Sequence, residues 1–75
     1  MKNLFIGNIP EDISEAELSR TLNTQAMIAK VGIFKDKYTD RSLGFGYLTI
    51  DEKSEQEIKS KLNGFDLNGS KIVLN

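Results

Sequence analysis

"RSLGFGYLTI", residues 41–50, puts two glycines and two large aromatic rings, Phe45 and Tyr47, into ten residues with a single charge. Read as a strand, its period-two alternation turns Phe45, Tyr47 and Thr49 to one face. Gly46, Leu48 and Ile50 then occupy the other face, which has the composition of a core. The first face shows two rings to something outside that core, and the rest of the chain must say what.

Other segments have the same grammar. "NLFIGNIP" alternates Leu4 and Ile6 on one side with Asn3, Phe5 and Gly7 on the other, and closes at Asn8 and Pro10. "SEAELSRTLN" opens a helix: Ser14 and Glu17 have capping-box spacing, Ile13 and Leu18 that of a hydrophobic staple, and Leu18 and Leu22 share a helical face. "IAKVGIFKDK" predicts a second strand with Val31 and Ile33 inward and Lys30, Gly32 and Phe34 outward. "DKYTDRS" is a polar loop. "SEQEIKSKLNG" repeats the helix signals with Ser54, Glu57, Ile58 and Leu62, and stops at Asn63-Gly64. "LNGSKIVLN" predicts a turn and a last strand, Ile72 and Leu74 inward, Lys71, Val73 and Asn75 outward.

The order is therefore βαββαβ. It fits an α+β fold of the ferredoxin-like split βαβ type, a four-stranded antiparallel sheet with both helices on one face. Residues 1–75 form a single domain on this reading. Each strand assigns its aliphatic residues to the side the helices cover, so the open face collects Phe5, Phe34, Phe45 and Tyr47, four of the six aromatics. A small domain is short of core material. Leaving its largest side chains outside the core points to a binding surface.

Composition removes several function classes. With no cysteine and no histidine, disulfide frameworks, the usual zinc sites and serine–histidine or cysteine–histidine catalysis are excluded. No metal or cofactor is expected. The acids Glu15, Glu17, Glu55 and Glu57 open helices, where they complement the helix dipole, and no base or pocket pairs with them, so no enzyme is expected. Gly44-Phe45-Gly46 lies within a strand and lacks the lysine ending of a phosphate loop. A net charge of −1 supplies no bulk attraction to a polyanion, so any such partner is held by a local patch. No apolar run suits a signal peptide or a membrane span. The expected location is intracellular and cytoplasmic, or nuclear in a eukaryote.

At this point the chain resembles an RNA recognition motif over nearly its whole length. "LFIGNI" (residues 4–9) is similar to the family's hexamer on the first strand, and "LGFGYLTI" (residues 43–50) to its octamer on the third at every position but the first. The resemblance implies a sheet on which unstacked bases lie against rings, with Phe5, Phe45 and Tyr47 as stacking residues; Phe34, placed on the same face by alternation, is expected as a fourth surface. The resemblance also suggests uses for two glycines: Gly44 starts the strand with no side chain over the sheet, and Gly46 lets a helix approach from behind. Lys30, Lys35, Arg41 and Lys71 are the expected backbone contacts, and Asn3, Lys71, Val73 and Asn75 the expected readers of base edges.

Three departures from the family pattern stand out. Leu43 takes the position where an arginine or lysine usually meets a phosphate, and by parity it faces the same way as Phe45. Asp40 replaces a common loop glycine, and "NTQA" replaces the usual end of the first helix. With a cation lost and an acid gained, a few effective phosphate contacts predict a salt slope of roughly −1.5 to −2 in log–log form. The expected function is a non-catalytic module, suited to post-transcriptional regulation, that holds short single-stranded RNA (or single-stranded DNA) with modest affinity as a monomer, away from membranes. The alternative is a protein-interaction module on the same fold, with a protein partner covering the exposed sheet, motivated by Leu43, Val73 and the slightly negative charge.

Overall fold

A computed structural model describes residues 1–75. Its elements are β1 (Lys2–Gly7), α1 (Glu15–Asn23), β2 (Lys30–Lys35), β3 (Ser42–Ile50), α2 (Glu55–Leu62) behind a 3-10 turn (Glu52–Ser54), β4 (Asp66–Leu67), β5 (Ser70–Lys71) and β6 (Val73–Leu74). The main sheet has the order β2-β3-β1-β6 and is antiparallel throughout. Its core joins Leu4, Ile6, Ile33, Leu48, Ile50 and Leu74 from the strands to Leu18 and Leu22 of α1 and Ile58 and Leu62 of α2. The alternation in the sequence thus places every aliphatic set against the helices. Fully burying one such side chain contributes about 1.5–3 kcal/mol, which leaves the opposite face free of any structural duty.

The first helix begins as its sequence predicts. Glu17 N donates to Ser14 Oγ at 3.1 Å, and Ile13 and Leu18 are both buried. It ends without a left-handed residue: Thr24 is right-handed, and Asn23 Oδ1 accepts from Ile28 N at 3.0 Å. "NTQA" therefore closes the helix with the backbone N–H groups of Thr24, Gln25 and Ala26 on the carbonyls of Thr21 and Leu22, helped by the Asn23 side chain, and uses no left-handed glycine.

The second helix starts differently from its capping-box prediction. Ser54 makes no side-chain cap. Asp51, the first extended residue after β3, accepts from Lys53 N at 3.0 Å and opens a 3-10 turn that runs into α2. Glu57, freed from the box, pairs with Lys61 at 3.1 Å across one helical turn. Gly64, at φ +84, stops the helix as expected, and Asn63 Oδ1 accepts from Leu74 N at 3.1 Å.

The last strand is split. Asn68 (φ 51) and Gly69 (φ 92) make a two-residue turn of the kind hairpins favour, and it closes β4 on β5 with Asp66 opposite Lys71. Ile72 N still donates to Phe65 O at 3.0 Å. Only from Val73 does the chain join the main sheet, with Val73 opposite Gly7 and Leu74 opposite Ile6. Phe5 and Asn75 then exchange both backbone hydrogen bonds, at 3.2 and 3.0 Å. Lys71, expected on the outward face of the last strand, belongs instead to the small hairpin.

Candidate nucleic-acid interface

The open face is built from three strands in register. Phe5 of β1 lies opposite Tyr47 of β3, and Tyr47 lies opposite Gly32 of β2. Phe45 lies opposite Gly7 on one side, and Phe34 of β2 meets it on the other. The rings form an unbroken series: Phe5 to Phe45 at 6.1 Å and 29° between planes, Phe45 to Phe34 at 5.5 Å and 62°, Phe34 to Tyr47 at 5.9 Å and 44°. Aromatic pairs at such separations contribute about 0.5–1.5 kcal/mol beyond area burial, so the rings hold one another in place before any ligand arrives. Phe5 (44%), Phe34 (47%) and Phe45 (37%) remain well exposed. Leu43 (48%) and Val73 (49%) are the other exposed apolar residues of β3 and β6.

Glycines seat these rings. A Cβ on Gly32 would stand 2.1 Å from Cε1 of Tyr47, and one on Gly7 would stand 2.8 Å from Cε2 of Phe5. Both rings therefore lie flat along the sheet over backbone that has no side chain. Sequence reading assigned these two glycines no role. The signal was present, since each has outward parity, but it becomes legible only once the register sets Gly32 beside Tyr47.

Gly46 works differently from its expected role. A Cβ there would stand 1.9 Å from the carbonyl oxygen of Gly32 and 2.9 Å from Cα of Ile33. It admits the backbone of the neighbouring strand and not a helix. The reason is a bulge: pairing runs from Ile33 opposite Gly46 to Lys35 opposite Ser42. Gly44 absorbs the distortion at φ +83, where a glycine carries little steric penalty, and its carbonyl accepts from Ile9 N at 2.9 Å. Exposure still alternates along β3 through this irregularity, with Leu43 and Phe45 exposed on either side of Gly44, as their shared parity predicts.

The expected cations separate into three places. Lys30 lies opposite Thr49 in the row below the rings, with no ion pair. Lys35 and Arg41 line a cleft of about 310 Å³ with Glu11, Asp40 and the core-facing Ile33, so they stand at the β2 edge and not among the rings. Arg41 Nη1 is 3.8 Å from Glu11 Oε1. Lys71 sits on the hairpin, its carbonyl accepting from Asn8 Nδ2 at 2.8 Å. Asn75 comes beside Phe5 through β6, and Asn3 lies opposite Thr49.

The β2–β3 loop is ordered by one carboxylate. Asp36 accepts from the backbone N–H groups of Tyr38 (2.8 Å) and Thr39 (3.0 Å). The Thr39 bond, then that of Tyr38, holds its carboxyl below the ordinary 3.8. Asp40 sits at φ 61, in the left-handed region that glycine occupies most easily. That explains why a glycine is common there and why an aspartate, among the better-tolerated residues, can replace it. No group of three or more acidic, histidine or cysteine side chains is placed to hold a metal.

Residues 4–73 match the family described as RNA recognition motif. The chloroplast RNA-binding protein CP29B of Arabidopsis thaliana is 34% identical over 73 residues, which are 96% of this chain and 25% of that protein. The chain spans about a quarter to a third of the first curated relatives it matches. Among solved structures, the second RRM domain of yeast Pub1 superposes with a TM-score of 0.87 at 23% identity, covering 97% of this chain and 89% of that one. The Rna15 RRM with bound RNA follows at 0.78 and 22%, covering 97% and 79%. At such identities the structural likeness is one of fold.

These relatives overturn the expected cytoplasmic location. Proteins of Arabidopsis, spinach and Nicotiana among them are named as chloroplastic. Targeting segments are removed from mature proteins and take no part in a folded core, so the composition of this fold was no guide to where such a domain works.

Proposed function

The chain belongs to the RNA recognition motif family and is an RNA-binding module; from that premise we propose that residues 1–75 act as one monomeric, non-catalytic unit that holds roughly two to four nucleotides of single-stranded RNA on its open sheet. The observation that carries this reading is the series of four rings, each within 5.5–6.1 Å of the next, on the face the core does not need. Phe5, Phe45 and Tyr47 stack bases, and Phe34 braces Phe45 and Tyr47 while extending the surface. Lys30 stands beside the rings, within reach of the backbone or of a base edge. Lys35 and Arg41 reach the backbone from the β2 edge, and Lys71 from the hairpin. Val73 and Asn75 border the base over Phe5.

Stacking contributes about 1–3 kcal/mol per base and accepts any base. Two or three stacked bases with few phosphate contacts bring the total near −8 kcal/mol, about micromolar. Single-stranded DNA should bind by the same stacking, since a base lying on a ring makes no use of the 2′-hydroxyl. The test is fluorescence anisotropy with a labelled random-sequence RNA hexamer. Tyr47→Ala should weaken binding about 5- to 150-fold while leaving the fold intact. An unchanged affinity would refute the platform.

A further inference from the structure

The row below the rings is polar. Asn3, Thr49 and Lys30 stand side by side on β1, β3 and β2, two residues, or about 7 Å, along the strands from Phe5 and Tyr47. That offset is within reach of the edge of a base stacked on those rings. Thr49 Oγ1 and Asn3 Oδ1 are 2.7 Å apart, and this is the only hydrogen bond either side chain makes. The hydroxyl donates, because an amide oxygen can only accept. Lys30 enters none of the four ion pairs of the protein.

A free asparagine offers a donor and an acceptor together, the pair that suits adenine N7 and N6. Here the oxygen is turned toward Thr49 across the sheet, which directs Nδ2 away from Thr49 as a donor. The Lys30 ammonium is also a donor and never an acceptor. The row therefore presents two donors, Asn3 Nδ2 and the Lys30 ammonium, on either side of a threonine hydroxyl whose proton is engaged by Asn3. Guanine carries an acceptor at O6, and uracil one at O4, where adenine and cytosine carry an amino group that would set donor against donor.

We propose that Asn3 and Lys30 form a base-reading subsite that prefers a keto base, uracil or guanine, with Thr49 as the positioning residue that fixes the Asn3 amide. This inference rests on the stacking reading, which delivers the base edge to the row.

The experiment compares hexanucleotides of uridine, cytidine, inosine and adenosine by anisotropy. Each pair, uridine with cytidine and inosine with adenosine, sets a keto group against an amino group on the same ring system. Uridine should bind more tightly than cytidine, and inosine than adenosine, by about 5- to 30-fold. Thr49→Val should bring both ratios close to one with little change in binding of the amino oligomers, and Thr49→Ser should restore them. Asn3→Ala should also collapse the ratios. Equal binding of all four by the wild type overturns the subsite and leaves the platform standing. Uniform weakening of all four by Asn3→Ala assigns the row to phosphate and overturns it as well. Absence of binding to any oligomer overturns the stacking reading and this inference together.

Discussion

Gly32→Ala tests whether the ring platform depends on a glycine seat. Gly32 faces Tyr47 across β2 and β3, and the added methyl would stand 2.1 Å from Cε1, 2.4 Å from Cζ and 2.8 Å from the hydroxyl oxygen. Carbon atoms settle at about 3.5–4.0 Å, so the ring must retreat by roughly 1.5 Å. It can do so only by rotating off the sheet, since its flat position is the one the methyl takes. Lifting Tyr47 also disturbs its packing on Phe34 at 5.9 Å and 44°. The loss is then one stacked base, about 1–3 kcal/mol, or about 5- to 150-fold in Kd. Stability should move far less. Alanine is preferred to glycine in a strand by roughly 0.5–1 kcal/mol, and this offsets the weaker packing of the displaced ring. The assay pairs anisotropy on the random RNA hexamer with urea denaturation of the same samples. Wild-type affinity in Gly32→Ala, with Tyr47→Ala weakened, would refute the seat argument.

Further outcomes follow from neighbouring features. Gly46→Ala should cost stability heavily, about 3 kcal/mol or more by denaturation, because the obstructing atom is a backbone carbonyl 1.9 Å away and not a movable ring; a midpoint near wild type would show that the bulge is pliable. Leu43→Arg should tighten RNA binding and steepen the log–log salt slope by about 0.7, the share of one phosphate on a single strand; an unaltered slope would mean that the bulge carries the side chain away from the backbone path. Acid should destabilise the fold through two carboxyls. Asp36, held down by backbone N–H groups, and Glu55, held down first by Lys2 and then by Lys59, both have folded values below their ordinary 3.8 and 4.5. Their contribution is present above those ordinary values and is lost as pH falls through the lower folded ones. Asp36→Asn should therefore flatten the acid limb of thermal stability against pH, and an equally steep limb would exclude that loop.

Much of the architecture was legible because it rests on short-range pattern. Two periods, two and 3.6, assigned the aliphatic residues to one face of each element, and the rings were what remained. Readings failed where a neighbour in space took over. Ser54 was the expected cap of α2, but Asp51 met the chain first as it left β3. Lys71 was assigned outward by alternation, yet the Asn68-Gly69 turn drew it into a hairpin of its own. Gly46 was given to a helix, whereas the close approach comes from the adjacent strand.

The site divides along the same line. Sequence alone determined that Phe5, Phe34, Phe45 and Tyr47 share a face, because alternation is a local property of an extended chain. Tertiary structure decided how they serve it. Register across three strands seats Tyr47 on Gly32, lays Phe5 over Gly7 and sets Thr49 between Asn3 and Lys30. It also carries Lys35 and Arg41 to the β2 edge, away from the rings. Cross-strand partners lie tens of residues apart in the chain, and a bulge at Gly44 changes which of them meet. Local pattern therefore selects the face, and pairing between distant segments arranges the groups upon it.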